Sequence, residues 1–412
     1  MFSAFQTFGR LGAGARAVAA AWSPSALWPT GTEPGLWIDP SNLTSQWQDS
    51  TGTTPVATPG TVADSSNPVG LALDLRLGAT ALADPGNHLL QATSTARPLL
   101  SARRNLLTYT EDFGNAAWLL LFGLEKTPNY ALAPDGSMTA CRLYAPTADG
   151  VLYGHGLMNN TFTRSVWAKS NTASNYTIGL PGNLSITVTP TWTLVSGSEA
   201  GFNYLWNMPV AAGSDISIWH PQVELGLTAT PYQAILTDGS AYPSTGFPIY
   251  QKYDGTDDGM ATATFTAGTL SNAMDCMIAV RRDSASNAVC GLYESVSEAN
   301  KVFGIAESGS GSGCVGSGAG TPTVWVDGVQ LTGGTAVTRG TLHTALTVGD
   351  YHVLEFRGLD LSTWTASGFG LYSSYALNGA QGGILLFPSS TSAADRDAAR
   401  AWLAAKVGVT LP

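Results

Sequence analysis

Charge is scarce in this chain. Charged residues make up 12% of 412, with 19 basic against 29 acidic and a formal net charge of −10. The densest basic clusters are pairs such as Arg103-Arg104. That falls far short of the Lys/Arg surface needed to neutralise a phosphate backbone, so a nucleic-acid partner is excluded. Cysteine is also sparse. Cys141, Cys276, Cys290 and Cys314 form no Cys-x-x-Cys pair and have no His at zinc-ligand spacing. A bridge between two of Cys276, Cys290 and Cys314 stays open on spacing alone. The five His residues form no His-x-x-x-His pair, and there is no Gly-x-Ser-x-Gly elbow, so the usual zinc-protease and α/β-hydrolase signatures are missing. No apolar run is long enough to cross a bilayer, so no membrane insertion is expected. The Ala-rich N-terminus is interrupted by Arg10 and Arg16, which does not fit a secretory leader.

What the chain does have is 47 Gly, 12 Trp and many short β-branched and aromatic runs. Broken by Gly, Asn, Asp and Pro, such runs predict all-β sandwiches, and the length allows two or three domains. Ser137–Tyr144, Thr161–Ala168, Tyr176–Leu180, Ser185–Thr189, Thr191–Val195 and Ile216–Glu224 read as strands of one domain. Cys276–Val280, Val302–Ala306, Thr323–Leu331 with its Asp327-Gly328 turn, Tyr351–Phe356, Phe369–Tyr372 and Gly383–Phe387 read as strands of another. The Gly/Ser stretch from Glu307 to Thr321 is expected to be a mobile loop. A closing helix is predicted from Ser392, which caps it, to Gly408, which stops it, with Ala398, Trp402 and Ala405 on one face. At the N-terminus, Phe2, Phe5, Phe8 and Leu11 recur at three-residue spacing. They predict an apolar arm that docks on a partner or on the same chain.

Two sets of motifs carry a family resemblance. One set runs from Leu36-Trp37-Ile38-Asp39-Pro40-Ser41 through Gln46-Trp47-Gln48 to Ala92–Pro98, and resumes at Tyr253-Asp254-Gly255-Thr256-Asp257-Asp258. It resembles a concanavalin A-like (laminin-G-like) sandwich of bacteriophage and prophage virion proteins. The other set lies between these halves. It comprises Asn105–Phe113, Asn115-Ala116-Ala117-Trp118, Val166-Trp167-Ala168-Lys169, and Gln222-Val223-Glu224-Leu225-Gly226 followed by Thr230-Pro231-Tyr232. It resembles the carbohydrate-binding jelly roll of phage tail proteins. The departure is Trp219-His220-Pro221, where that family commonly has a small residue; a reshaped surface loop is expected there. The resemblance implies an all-β chain with a jelly roll (104–239) inserted into a concanavalin A-like sandwich (34–103 plus 240–412), preceded by a virion-docking arm and linker (1–33). It also implies a homotrimeric phage tail component, made in the host cytoplasm, whose partners are other tail proteins and a host-surface polysaccharide. Thiols of such a protein are expected to stay free and buried.

Catalysis has weak candidates. Hydrolysis of a glycosidic bond needs two carboxylates flanking one linkage, and Glu111, Asp112, Glu199, Asp215 and Glu224 are the acids available in the insert. Glu111, Asp112 and Glu224 belong to its end motifs, where a structural role is expected. No enzyme activity is therefore expected, and a depolymerase is the lesser alternative beside a purely structural virion protein. Asp254, Asp257 and Asp258 form the one cluster suited to Ca²⁺, but Asp-Gly-x-Asp-Asp also builds a tight turn, which is the preferred reading, with no cofactor. Sugar recognition calls for aromatic rings beside amides. Tyr204 and Trp206, with Asn203 and Asn207, are the residues expected to supply it. Trp118, Trp167 and Trp192 are expected in the core.

Overall fold

The computed structural model describes residues 22–56, 67–102, 105–147, 150–154, 160–180, 184–202, 206–225, 229–236, 247–295, 300–331 and 337–412. The fold is all-β, with antiparallel sheets and a helix at Ala393–Val407. Phe2, Phe5, Phe8 and Leu11 lie outside the described residues, as do Asn203 and Tyr204.

An eight-stranded sheet holds the outer part together, with Met274–Arg282 between Tyr351–Leu359 and Asn378–Pro388. Every residue of Met274–Arg282 is buried. Met274, Cys276, Ile278 and Val280 face a core shared with Ala72, Leu89, Met260 and Phe369 of a second, five-stranded sheet. Met277 and Ala279 point the other way, into a layer closed by the helix. The strand thus obeys the period-two rule while both its faces are dry. Gly382 and Gly383 let the helix approach. A Cβ on Gly382 would lie 2.4 Å from Val407, and one on Gly383 would lie 2.8 Å from Leu403.

Ser392 caps the helix by accepting from Asp395 N, and Gly408 ends it at φ 74°. The buried face is Ala399, Leu403, Ala404 and Val407, not the expected Ala398, Trp402 and Ala405. Leu403 and Val407 carry more apolar area than two alanines, and that sets the rotation. Asp327 (φ 52°) and Gly328 (φ 82°) form the hairpin turn their sequence predicts. From Trp22 onward the N-terminal segment packs on its own chain. Trp22 Nε1 donates to Asp395 Oδ1 at 3.1 Å, and Trp28 stacks on Trp37, which meets Trp402 edge-on. The stretch Glu307–Thr321, expected as a mobile loop, is instead tied into the fold. Cys314 N donates to Val337 O, Gly316 N to Val302 O and Trp364 Nε1 to Gly318 O. Small residues serve there because backbone lies directly on backbone, as where a Cβ on Gly316 would meet Asn300 O at 2.4 Å.

The chain leaves the outer sheet at Leu99–Ser101 and returns at Tyr250–Asp254, and these strands pair, Ser101 opposite Tyr250. Among the described residues between them are ten strands: β1 (Trp118–Leu121), β2 (Glu125–Ala131), β3 (Ala140–Tyr144), β4 (Gly150–Gly154), β5 (Asn160–Ser170), β6 (Tyr176–Leu180), β7 (Leu184–Val188), β8 (Thr193–Phe202), β9 (Trp206–Val210) and β10 (Asp215–Leu225). They form two five-stranded sheets, ordered β8-β5-β10-β3-β2 and β7-β6-β9-β4-β1. Phe162, Val166, Ile216 and Ile218 from the first sheet meet Trp206, Met208, Ile178 and Leu152 from the second.

The end motifs act as a clasp. Asn105 N donates to Gln233 Oε1 at 3.1 Å, and Asn105 Nδ2 donates to the carbonyls of Pro221 and Gln233 at 3.2 and 3.0 Å. Asn105 Oδ1 accepts from Leu107 N and Val223 N at 3.2 and 3.1 Å. Glu224 accepts from Gln222 Nε2, Thr230 N and Thr230 Oγ1, and Gln222 Oε1 accepts from Gln233 N at 2.7 Å. The Gln-x-Glu…Thr-Pro-Tyr spacing therefore satisfies buried polar groups where the ends of the insert meet.

Candidate binding face

Alternation along β3, β5 and β10 sorts their side chains. Cys141 and Leu143, Val166 and Ala168, and Ile216 and Ile218 enter the core. The intervening residues line the opposite face of the sheet. Strand pairing arranges them in rows. Trp167 lies between Leu194 of β8 and Trp219 of β10. Lys169 lies beside Ser217, which pairs with Arg142, which pairs with Thr127. Asp215 lies beside Tyr144, which pairs with Glu125. A bulge between Ser165 and Trp167 re-aims the first row.

Trp192, just before β8, donates from Nε1 to Leu132 O at 3.0 Å, just after β2. β8 and β2 are opposite edges of this sheet. The segment after β2 thus arches across the face and covers Trp219, whose Nε1 donates to Thr139 Oγ1 at 2.9 Å. Trp167 and Trp192 stay half-buried beside the arch, and Tyr130 and Leu194 are 45% and 48% exposed.

The polar half of the face is ordered by charge. Arg142 grips Asp215 with two hydrogen bonds, Nε to Oδ1 at 2.8 Å and a second nitrogen to Oδ2 at 2.6 Å. That contact, with Asn171 Nδ2 donating at 2.8 Å, holds the Asp215 carboxyl below its usual range against the opposing effect of burial. The Arg142 guanidinium lies 5.1 Å from the Tyr130 ring centre and 4.7 Å from that of Tyr144. Ser217 Oγ donates to Asn171 Oδ1 at 2.7 Å. Lys169 Nζ sits 5.2 Å from the ring centre of Trp192. The face thus offers aromatic edges beside pre-ordered amide, hydroxyl and cationic groups, the pairing that reads polyhydroxylated ligands.

The residues expected to bind sugar fall elsewhere. Trp206 is fully buried in the core of the insert, edge-on to Trp118 at 6.1 Å. Burial removes it from any ligand and corrects that expectation. Asn207 is half-buried on β9, in the other sheet. Trp118 is core as expected, whereas Trp167 and Trp192 are not: each sits in phase with the outward residues. The Trp219-His220-Pro221 departure is not a surface loop but part of β10. There His220 (φ 53°) stacks between Trp219 and Tyr232 and sets Nε2 3.3 Å from Glu111 Oε1.

Glu111, Asp112 and the Asp254 cluster have structural partners. Burial opposes ionisation of Glu111, but hydrogen bonds from His220 and Tyr232 outweigh it and hold its carboxyl below the usual range. Asp112 accepts from Gly114 N at 2.9 Å. Glu199 lies on β8 opposite Phe162. Asp254 accepts from Thr256 N at 2.7 Å, and Asp258 accepts from Asp254 N at 2.9 Å, so the Asp cluster caps a turn. Its three carboxylates still lie within 4.8 Å of one another.

No known protein family matches the chain, and no curated protein does. Solved structures are similar in part, two of them as follows. One contains the CBM22 and GH10 modules of a Clostridium thermocellum endo-1,4-β-D-xylanase complexed with xylohexaose. It matches at 13% identity and a TM-score of 0.23, over 32% of this chain and 30% of that one. The other is HutD of Pseudomonas fluorescens, at 10% identity and a TM-score of 0.12, over 64% of this chain and 98% of that one.

Proposed function

We propose that this protein is a non-catalytic, glycan-binding component of a phage tail, whose inserted sandwich meets a host-surface polysaccharide through the outer face of the β8-β5-β10-β3-β2 sheet. The observation that carries the reading is that face: Trp167, Lys169 and Arg142 held in register by strand pairing, with Tyr130, Trp192 and Asn171 beside them. The virion assignment rests on the resemblance of the motifs, as does the expectation of a trimer. A binding role rather than hydrolysis is supported by Asp215, Glu111 and Glu224, each committed to an internal partner.

The test is binding of the purified protein to intact bacterial cells, before and after periodate oxidation of their glycans, with Trp192→Ala and Tyr130→Ala alongside. Loss on periodate and in both folded variants supports the reading. Variants that bind like the unaltered protein move the site off this face. A second reading, a virion component that makes protein contacts only, is favoured by β1. This edge strand and its turn expose Leu119, Leu121 and Phe122 at 48%, 39% and 71%. Cell binding that survives periodate, or is absent, favours it.

A further inference from the structure

Resting on the glycan-binding reading, we infer that the ligand is acidic: a saccharide whose carboxylate seats on the ammonium of Lys169. The observation is a mismatch of charge. Acids outnumber bases by 29 to 19 in this chain, yet Lys169 makes no ion pair among the described residues. The other cation of the face, Arg142, is spent on Asp215 with both ends of its fork. Strand pairing gives Lys169 a hydroxyl as its neighbour, Ser217, rather than an acid.

Its position is also unlike that of a solvated surface lysine. β5 is an interior strand, between β8 and β10. Lys169 is half-buried, and its ammonium is pinned over the Trp192 ring. Holding it there removes the rotamer freedom that an incoming anion would otherwise have to quench. Asn171, just past the end of β5, is fixed by Asp215 and Ser217, and Trp167 lies two residues back along the strand. A carboxylate at Lys169 would therefore place its sugar ring between an aromatic side and an amide side. A neutral glycan could use both sides and leave the cation without a counter-ion.

A hydrogen bond to a charged group is worth roughly ten- to a hundredfold in affinity. The experiment is calorimetric titration of the full chain with polygalacturonate, polyglucuronate, alginate and polysialate, each paired with its carboxyl-reduced neutral form. Lys169→Met and Lys169→Arg are titrated alongside, with melting temperatures as the folding control. The expected result is binding to at least one acidic polymer, weakened about tenfold or more by carboxyl reduction and by Lys169→Met. Lys169→Arg should retain it, and added salt should weaken it. Equal binding of the reduced polymer, or an unaffected Lys169→Met, overturns the acidic ligand and leaves glycan binding standing. No binding to any of these polymers overturns the acidic ligand, and glycan binding then stands or falls by the periodate test on intact cells.

Discussion

Replacing Asn105 with Ala tests whether the insert closes as its end motifs imply. The Asn105 side chain is fully buried and links the start of the insert to its last strand and to the segment that follows. Alanine there leaves the Leu107 and Val223 amides without the oxygen they now reach, and removes a donor from the Pro221 and Gln233 carbonyls. A buried group left unsatisfied costs about 1–3 kcal/mol, and the two amides dominate because carbonyls tolerate a missing partner better. The expected loss is about 3–5 kcal/mol, confined to the insert. Urea unfolding gives the magnitude, and hydrogen exchange gives the location. Amides of β5 and β10 should lose protection, while those of Met274–Arg282 keep theirs. Asn105→Asp separates polar satisfaction from cavity formation. It preserves volume but removes the Nδ2 donor and buries a charge, so it should be at least as damaging at neutral pH. A loss under about 1 kcal/mol in Asn105→Ala, or a harmless Asn105→Asp, would refute the clasp.

Three further outcomes are expected. Burial, and then the charge of Asp254, push the Asp258 carboxyl up to about 7. The folded state therefore keeps a proton that the unfolded chain has released, and stability falls as pH rises from roughly 4 to 7. Asp258→Asn should flatten that slope and melt higher than the unaltered protein at pH 8, as scanning fluorimetry across pH 4–8 will report. Burial also pushes the thiols of Cys141, Cys290 and Cys314 up to about 12, and all four cysteines are free and buried. Iodoacetamide at pH 8 should label none of them in the native protein and all four in urea, read by intact mass. Trp206→Ala should cost about 3–5 kcal/mol by leaving a cavity beside Trp118; a variant that melts normally but loses cell binding would return Trp206 to the ligand site.

The sequence made the fold class readable because strand periodicity is local: Met274–Arg282, the Asp327-Gly328 turn and the Ser392 cap each depend on a few adjacent residues. The clasp was legible only as motif spacing. That Asn105 answers Val223 and Gln233 is a fact of chain return, which no local pattern encodes. The binding face shows the same divide. Trp167-x-Lys169-x-Asn171, Arg142-x-Tyr144 and Asp215-x-Ser217-x-Trp219 each announce one polar-aromatic side opposite an apolar one, a signal present in the sequence. Reading Trp167 as core ignored its phase against Val166 and Ala168, both of which point inward. What phase cannot give is adjacency. β3, β5 and β10 become neighbours only through pairings up to 77 positions apart, as in Cys141 with Ile218. Trp206 misled for the complementary reason. Its neighbour Asn207 is polar, but on an interior strand such as β9 a polar flank marks the outward phase of the strand, not the exposure of the residue beside it. A tryptophan in a polar run is therefore assigned by its parity with known core residues, here Met208 and Val210, before its neighbours' polarity is weighed.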